Sequence, residues 1–242
     1  MHIYGKNAVI EALREGQVRR VLLAQGLQPG TLKDLEKMAR QQGVTVEHIP
    51  RIQLDQLLKT THHQGVVAEL PELEFADAEA PFALAKKRNE RLLLILCDQL
   101  SDPRNYGAII RSAEVLGAHG VVTEERRSAP LSPVAVKASA GAASYLPLVQ
   151  VKNLPRFMDE LKARNVWIYG AASDAANRPE QIDWDRDAAL VVGSEGTGMR
   201  RLVRDKCDDT VAIPMKGRVG SLNAAVAAGI LIYSVMRQRE GA

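Results

Sequence analysis

Ala188-Ala-Leu-Val-Val-Gly-Ser-Glu-Gly-Thr-Gly-Met199 and, one short polar helix later, Val211-Ala-Ile-Pro-Met-Lys-Gly-Arg-Val-Gly-Ser-Leu-Asn-Ala-Ala-Val-Ala-Ala228 decide the fold. The apolar runs 188–192 and 211–213 suit short, buried parallel strands. Each ends in a loop with glycines, Gly193, Gly196 and Gly198 after the first, Gly217 and Gly220 after the second. Two such loops at the carboxyl ends of two strands make a ligand crevice of the α/β kind. Glycine lets the backbone approach a ligand and take positive φ. The second loop passes through Ser221-Leu222-Asn223 into an alanine-rich helix expected over 221–239, whose first N–H groups are free to bind. The glycine order is G-x-x-G-x-G, not G-x-G-x-x-G, and no lysine stands where a phosphate-cradling loop needs one. The crevice is therefore not expected to hold a pyrophosphate. On spacing alone, 193–198 serves equally as a tight strand-to-helix turn.

Upstream of this stretch the same alternation continues. Strands are expected at 91–97, 120–123, 145–151 and 166–171, with helices at 106–116, 133–139 and 154–164. Alternation with near-continuous apolar runs means a parallel sheet covered on both faces, occupying 91–242. Residues 71–90 carry Glu72, Glu74, Asp77 and Glu79 between Pro71 and Pro81. They read as a linker and a short helix, 80–88, leading into that domain. Residues 1–70 form a smaller α/β unit, with helices at 7–14, 31–42 and 53–59 and strands at 19–24, 44–49 and 64–70. His62 and His63 are adjacent, so they point apart on a strand, and no further ligands follow at useful spacing. A turn or RNA-facing role fits them better than a metal.

The 242 residues are 46% hydrophobic and 25% charged, as in an ordinary globular chain of one large or two modest domains. No apolar run reaches the roughly 20 residues of a membrane span, and the first residues show no signal-peptide pattern. Cys97 and Cys207 are isolated, which leaves neither a disulfide framework nor a zinc ribbon. A soluble, cytoplasmic protein is expected. The net charge of +3 permits a nucleic-acid partner without demanding one.

A third polar constellation lies in Asp98-Gln-Leu-Ser-Asp-Pro-Arg-Asn-Tyr-Gly-Ala-Ile-Ile-Arg-Ser-Ala113. Asn105 is expected at a helix start, and both Asn105 and Ser221 are good N-cap types. Gly107 and Arg111 are four apart and share a helix face, so the glycine would leave room beside the arginine. An arginine among Ile109, Ile110 and Ala113 is unusual on a half-buried helix, the bland reading being a salt bridge with Glu114 or Asp102.

Together the blocks at 102–113, 191–199 and 213–223 resemble the three motifs of the SpoU/TrmH family of RNA ribose 2′-O-methyltransferases, of the SPOUT class. The resemblance implies a parallel-sheet SPOUT domain with a carboxyl-terminal trefoil knot. Ile3-Tyr-Gly and His63-Gln-Gly-Val suggest that residues 1–70 are the L30e-like substrate-binding domain of the RlmB-type branch, which methylates a guanosine ribose in 23S rRNA. Asn7 and Cys97-Asp-Gln-Leu depart from the family pattern. S-adenosyl-L-methionine is the implied cofactor, with no metal. Gly193, Ile213 and Leu222 are the foremost expected contacts, with Gly170, Glu195, Gly196, Met215, Ser221 and Asn223 as neighbours. Arg111, Asn105, Glu195, Ser221 and Asn223 are the implied catalytic set. The family assigns proton removal to the arginine, but a guanidinium stays protonated in proteins. Orienting a phosphate and stabilising developing alkoxide charge suit it better. A homodimer is also implied. The helix 221–239 is apolar on more than one stripe, with 230–235 expected to face outward and an alternative in which helix 80–88 covers that patch. Other readings are the same chemistry on tRNA or another rRNA loop, a non-catalytic RNA-binding protein, and a nucleotide-dependent dehydrogenase, which the missing G-x-G-x-x-G disfavours.

Overall fold

The structure is a computed structural model that describes residues 2–241 apart from 15, 17, 28, 71, 72, 127 and 130. Pro71 and Glu72, where the expected linker opens, lie outside the described residues. The chain forms two compact units, Met1–Leu73 and Glu74–Ala242.

The first unit contains β1 (His2–Tyr4), α1 (Lys6–Arg14), β2 (Arg20–Ala24), α2 (Pro29–Gln41), β3 (Thr45–Ile49), α3 (Arg51–Leu58) and β4 (Val66–Glu69). The sheet order is β1-β4-β2-β3, with only β2 and β3 parallel. Leu22, Ala24 and Val67 pack with Leu54 of α3. Alternation sends Val21 and Leu23 to the opposite face, which explains why the whole apolar run of β2 is buried. Edge strand β1 was not expected, because three residues are too few to show a period. His62 is exposed, whereas His63 is fully buried. His63 Nε2 meets Asp55 Oδ1 at 2.7 Å and Nδ1 accepts the Gly65 N–H at 3.0 Å. Both ring nitrogens are thus engaged in fixing the turn before β4, where Gln64 and Gly65 have positive φ.

The second unit runs α4 (Ala80–Arg88), β5 (Leu93–Asp98), α5 (Pro103–Val115), β6 (Gly120–Glu124), α6 (Pro133–Ala138), β7 (Leu148–Val151), α7 (Leu154–Lys162), β8 (Trp167–Ala171), β9 (Ala188–Gly193), α8 (Arg201–Asp205), β10 (Asp209–Val211) and α9 (Ala224–Arg239). Its sheet has the order β10-β8-β9-β5-β6-β7 and every pairing is parallel. Leu94, Leu96, Val122 and Val191 face α7 and α4, through Phe157, Met158, Leu161 and Ala85. The alternate residues, including Ile95, Leu190 and Val192, are left for the face of α5 and α9. Residues 74–90 are part of this unit: Ala76 bridges to Val149, and Arg164 stacks over Phe82 at 3.4 Å.

Several boundaries differ from expectation for identifiable reasons. Asp102 caps α5 through the Arg104 N–H at 2.8 Å with Pro103 at N1, so Asn105 lies inside the first turn and is not a cap. Asn223, not Ser221, caps α9, and Ser221 and Leu222 remain in the loop. Tyr145 is 77% exposed in a turn before β7. In α9, Leu231, Ile232 and Val235 are fully buried, while Val226, Ile230 and Tyr233 are exposed. The helix is divided along its length by face, not into an inner and an outer half. Ala85 of α4 packs into the cluster on the opposite sheet face, so α4 does not cover this stripe. Among the described residues no helix is long and apolar enough to cross a membrane.

Candidate functional site

A pocket of about 290 Å³ opens at the carboxyl ends of β8, β9 and β10. Its apolar lining comes from Val192, Val211, Ile213, Met215, Leu222 and Leu231. Glycine loops and strand ends supply main-chain polar edges. The β9 loop closes on itself: Ser194 N donates to Gly198 O at 3.1 Å, Gly198 N to Ser194 O at 3.0 Å, and the Ser194 and Thr197 hydroxyls lie 2.6 Å apart. A Cβ on Gly193 would lie 2.2 Å from the Gly198 carbonyl carbon. Gly196 and Gly198 instead take φ of +87° and +68° in the turn. The three glycines of the motif therefore do two different jobs, close approach and left-handed turning.

Gly193, Glu195, Gly196, Ile213, Met215, Ser221 and Leu222 all line the pocket. Asn223 and Gly170 do not; a Cβ on Gly170 would meet Met199 Cε at 2.6 Å and Cys207 Sγ at 2.9 Å. Gly170 is a packing glycine in the sheet. Absent from the sequence-based set are Ala171–Asp174, Thr197, Met199, Arg204 and three α9 residues, Ala224, Ala227 and Leu231. The carboxyl end of β8 was a signal for the first of these, because ligands in open α/β sheets gather at strand ends.

Beside the pocket runs a chain of polar side chains. Asn105 Nδ2 donates to Glu195 Oε1, and Asn223 Nδ2 donates to Asn105 Oδ1 at 3.0 Å. Asn223 Oδ1 accepts from Ala225 N and Val226 N at 3.0 and 3.2 Å. Three residues from three distant parts of the chain are thereby joined to the start of α9. Ser221 lines the pocket but forms no hydrogen bond to a described residue.

Arg111 is exposed on α5, lies outside the pocket lining and pairs with no described carboxylate. The expected bridges to Glu114 and Asp102 are absent, the Asp102 carboxylate being used as the helix cap. Gly107 makes room not for the arginine but for α6: a Cβ would lie 2.3 Å from Ala135 O. At the pocket mouth Arg204 pairs with Asp174 at 2.9 Å, which holds the Asp174 carboxyl below its ordinary range. Such a pocket suits a ligand with a flat apolar ring, polar edges and no large anionic group. S-adenosylmethionine meets that description.

A family model described as the SpoU rRNA Methylase family matches residues 92–233. Another, described as RNA 2′-O ribose methyltransferase substrate binding, matches residues 2–76. The "Putative TrmH family tRNA/rRNA methyltransferase YacO" of Bacillus subtilis (strain 168) is 41% identical over 239 residues, 98% of this chain and 96% of its own. A Staphylococcus aureus (strain COL) protein named "Putative TrmH family tRNA/rRNA methyltransferase" is 38% identical over 238 residues, 98% of this chain and 96% of its own. Among solved structures, the SpoU methyltransferase AviRb from Streptomyces viridochromogenes, in complex with AdoMet, is similar with TM-score 0.67 and 28% identity. The alignment covers 100% of this chain and 91% of that one.

Proposed function

Since the chain belongs to the SpoU/TrmH family of S-adenosylmethionine-dependent RNA methyltransferases, we propose that it methylates the ribose 2′-hydroxyl of a guanosine in 23S rRNA. In this reading it is an RlmB-type cytoplasmic homodimer, with a trefoil knot formed by its last strands and α9. Residues 1–70 are the RNA-binding unit, L30e-like in kind, and 91–242, together with the packed 74–90, carry the reaction. The substrate-binding family match over 2–76 supports an RNA role for the first unit.

The observation that carries the reading is the hydrogen-bonded chain Glu195–Asn105–Asn223 at the pocket's edge. Bound S-adenosylmethionine supplies an electrophilic methyl group. The protein's part is to position a ribose, stabilise charge on the 2′-oxygen and exclude water. Ile213, Met215 and Leu222 hold the apolar ring, while the backbone around Gly193 and Gly196 takes the polar edges. Asn105 orients the Glu195 carboxylate, and Asn223 orients Asn105. Ser221 has an unengaged hydroxyl for substrate or cofactor. Arg111 keeps its fork of donors free for an RNA phosphate and the developing alkoxide.

The decisive experiment maps ribose methylation in RNA from cells with and without the gene. Loss of one 2′-O-methylguanosine in 23S rRNA is expected. Loss confined to a tRNA position instead would transfer the chemistry to the other substrate class in the relatives' names.

A further inference from the structure

Two carboxylates that the three motifs leave unexplained are buried under the pocket loop. Asp98 ends β5 and is fully buried, and Glu124 ends β6 with 6% exposure. Both bind Arg200, the residue directly after the loop. Arg200 N donates to Asp98 Oδ2 at 2.7 Å and its Nε to Asp98 Oδ1 at 2.6 Å. Its terminal nitrogen reaches Glu124 Oε2 at 2.9 Å, while Glu124 Oε1 accepts the Leu154 N–H at the start of α7, also at 2.9 Å.

Asp98 is also the ladder partner of Gly193, from which the loop departs. One carboxylate therefore stands beside the first residue of the loop and grips the residue that follows its last. Between those two points lie Glu195, Gly196, Thr197 and Met199, all in the pocket lining. Buried ion pairs are weak sources of net stability, because desolvation offsets their attraction, and their best-attested use is to specify one arrangement over others. The neighbouring Arg201 differs: among the described residues it meets only exposed Asp205, at 3.7 Å.

We propose that Arg200, gripped by Asp98 and Glu124, is a positioning residue for methyl transfer, closing the 194–199 loop so that Glu195 meets Asn105 and the rim fits the cofactor. This rests on the functional reading above for what the loop binds. Arg200 acts through the loop and touches no reacting atom.

Arg200→Lys tests it, because lysine keeps the charge between the two carboxylates but lacks the planar fork. Arg201→Lys is the control. Affinity for S-adenosylhomocysteine should fall roughly tenfold in Arg200→Lys, the scale of one lost charge-assisted hydrogen bond. The KM for S-adenosylmethionine should rise with it, while the KM for RNA stays unchanged. Wild-type cofactor affinity in a folded Arg200→Lys overturns the proposal, as does an equal rise in both KM values. If Arg200→Lys does not fold, hydrogen exchange of the unmodified chain decides. The Gly198 and Arg200 amides should be protected without ligand, and exchange at open-loop rates overturns the clamp. Failure of the unmodified chain to bind S-adenosylhomocysteine overturns the functional reading, and the clamp's role with it. Binding by the unmodified chain alongside an unaffected Arg200→Lys overturns the clamp alone.

Discussion

Arg111 and Gly193 illustrate opposite ways in which one residue can matter. Arg111 is exposed, unpaired among the described residues and outside the pocket lining, so its removal disturbs no packing there. Arg111→Ala should abolish methyl transfer and leave S-adenosylhomocysteine affinity within about twofold, since surface changes away from special features usually cost little. Arg111→Lys should fail as well, because a point charge does not reproduce a planar fork. Single-turnover rates beside calorimetric titrations test both, and a largely active Arg111→Lys would show that charge alone suffices. Gly193 acts through space. Its absent Cβ would overlap the Gly198–Met199 peptide at 2.2–2.5 Å. Gly193→Ala must therefore push the loop off β9, and cofactor binding should be lost before stability is. Retained binding in that variant would mean that the loop shifts freely. The motif residues of the pocket were legible through the family resemblance of the blocks at 191–199 and 213–223, since glycine spacing alone left a tight turn equally open. Asp98 was not, because an aspartate after an apolar run reads as the first residue of a loop, although here it is fully buried.

At the scale of elements, the central strands and their helices were legible from apolar runs, and the boundaries were not. The signal for the true start of α5 was present as Asp102-Pro103, a cap type followed by proline at the first helical position. Placing the start there moves Asn105 inside the helix and turns its side chain toward Glu195 and Asn223. His119 illustrates a polar group that an element boundary requires. It precedes β6 and is 1% exposed, with Nδ1 accepting the Leu93 N–H at 3.1 Å and Nε2 meeting Glu90 at 3.0 Å. Burial lowers its pKa below the ordinary 6.5, and Glu90 opposes that shift only in part. A base whose folded pKa is depressed binds protons more readily when unfolded. Its contribution to stability is thus complete above about 6.5 and is lost as pH falls toward the folded value. Urea melts from neutral pH down to about 5 should show a steeper loss of stability in the unmodified chain than in His119→Asn. Parallel pH profiles for the two proteins would assign the acid sensitivity elsewhere.

At the scale of the molecule, strand order was beyond the sequence, which gives succession along the chain but not adjacency across a sheet. The apolar run 188–192 forms β9, whereas of the run 211–213 only Val211 belongs to a strand, β10, and β8 lies between the two. The same topology brings the start of α9 to the pocket and leaves one side of that helix bare. Val226, Ile230 and Tyr233 are 50%, 37% and 48% exposed and recur at i, i+4 and i+7, a single exposed stripe of large apolar residues on this helix. Leu222, which lines the pocket, is also 40% exposed. Exposed apolar stripes mark interfaces more often than bare surface, and a two-fold dimer is the commonest way to cover one. In a two-fold contact each copy meets the same stripe of the other, so a charge placed there is met by its own image. Ile230→Glu should therefore give a monomer by light scattering at micromolar concentration, while the unmodified chain gives a dimer. Because the same helix supplies Ala224, Ala227 and Leu231 to the pocket lining, the monomeric variant should also lose cofactor affinity. A monomer mass for the fully active unmodified protein would exclude the dimer and place every residue of the reaction within one chain.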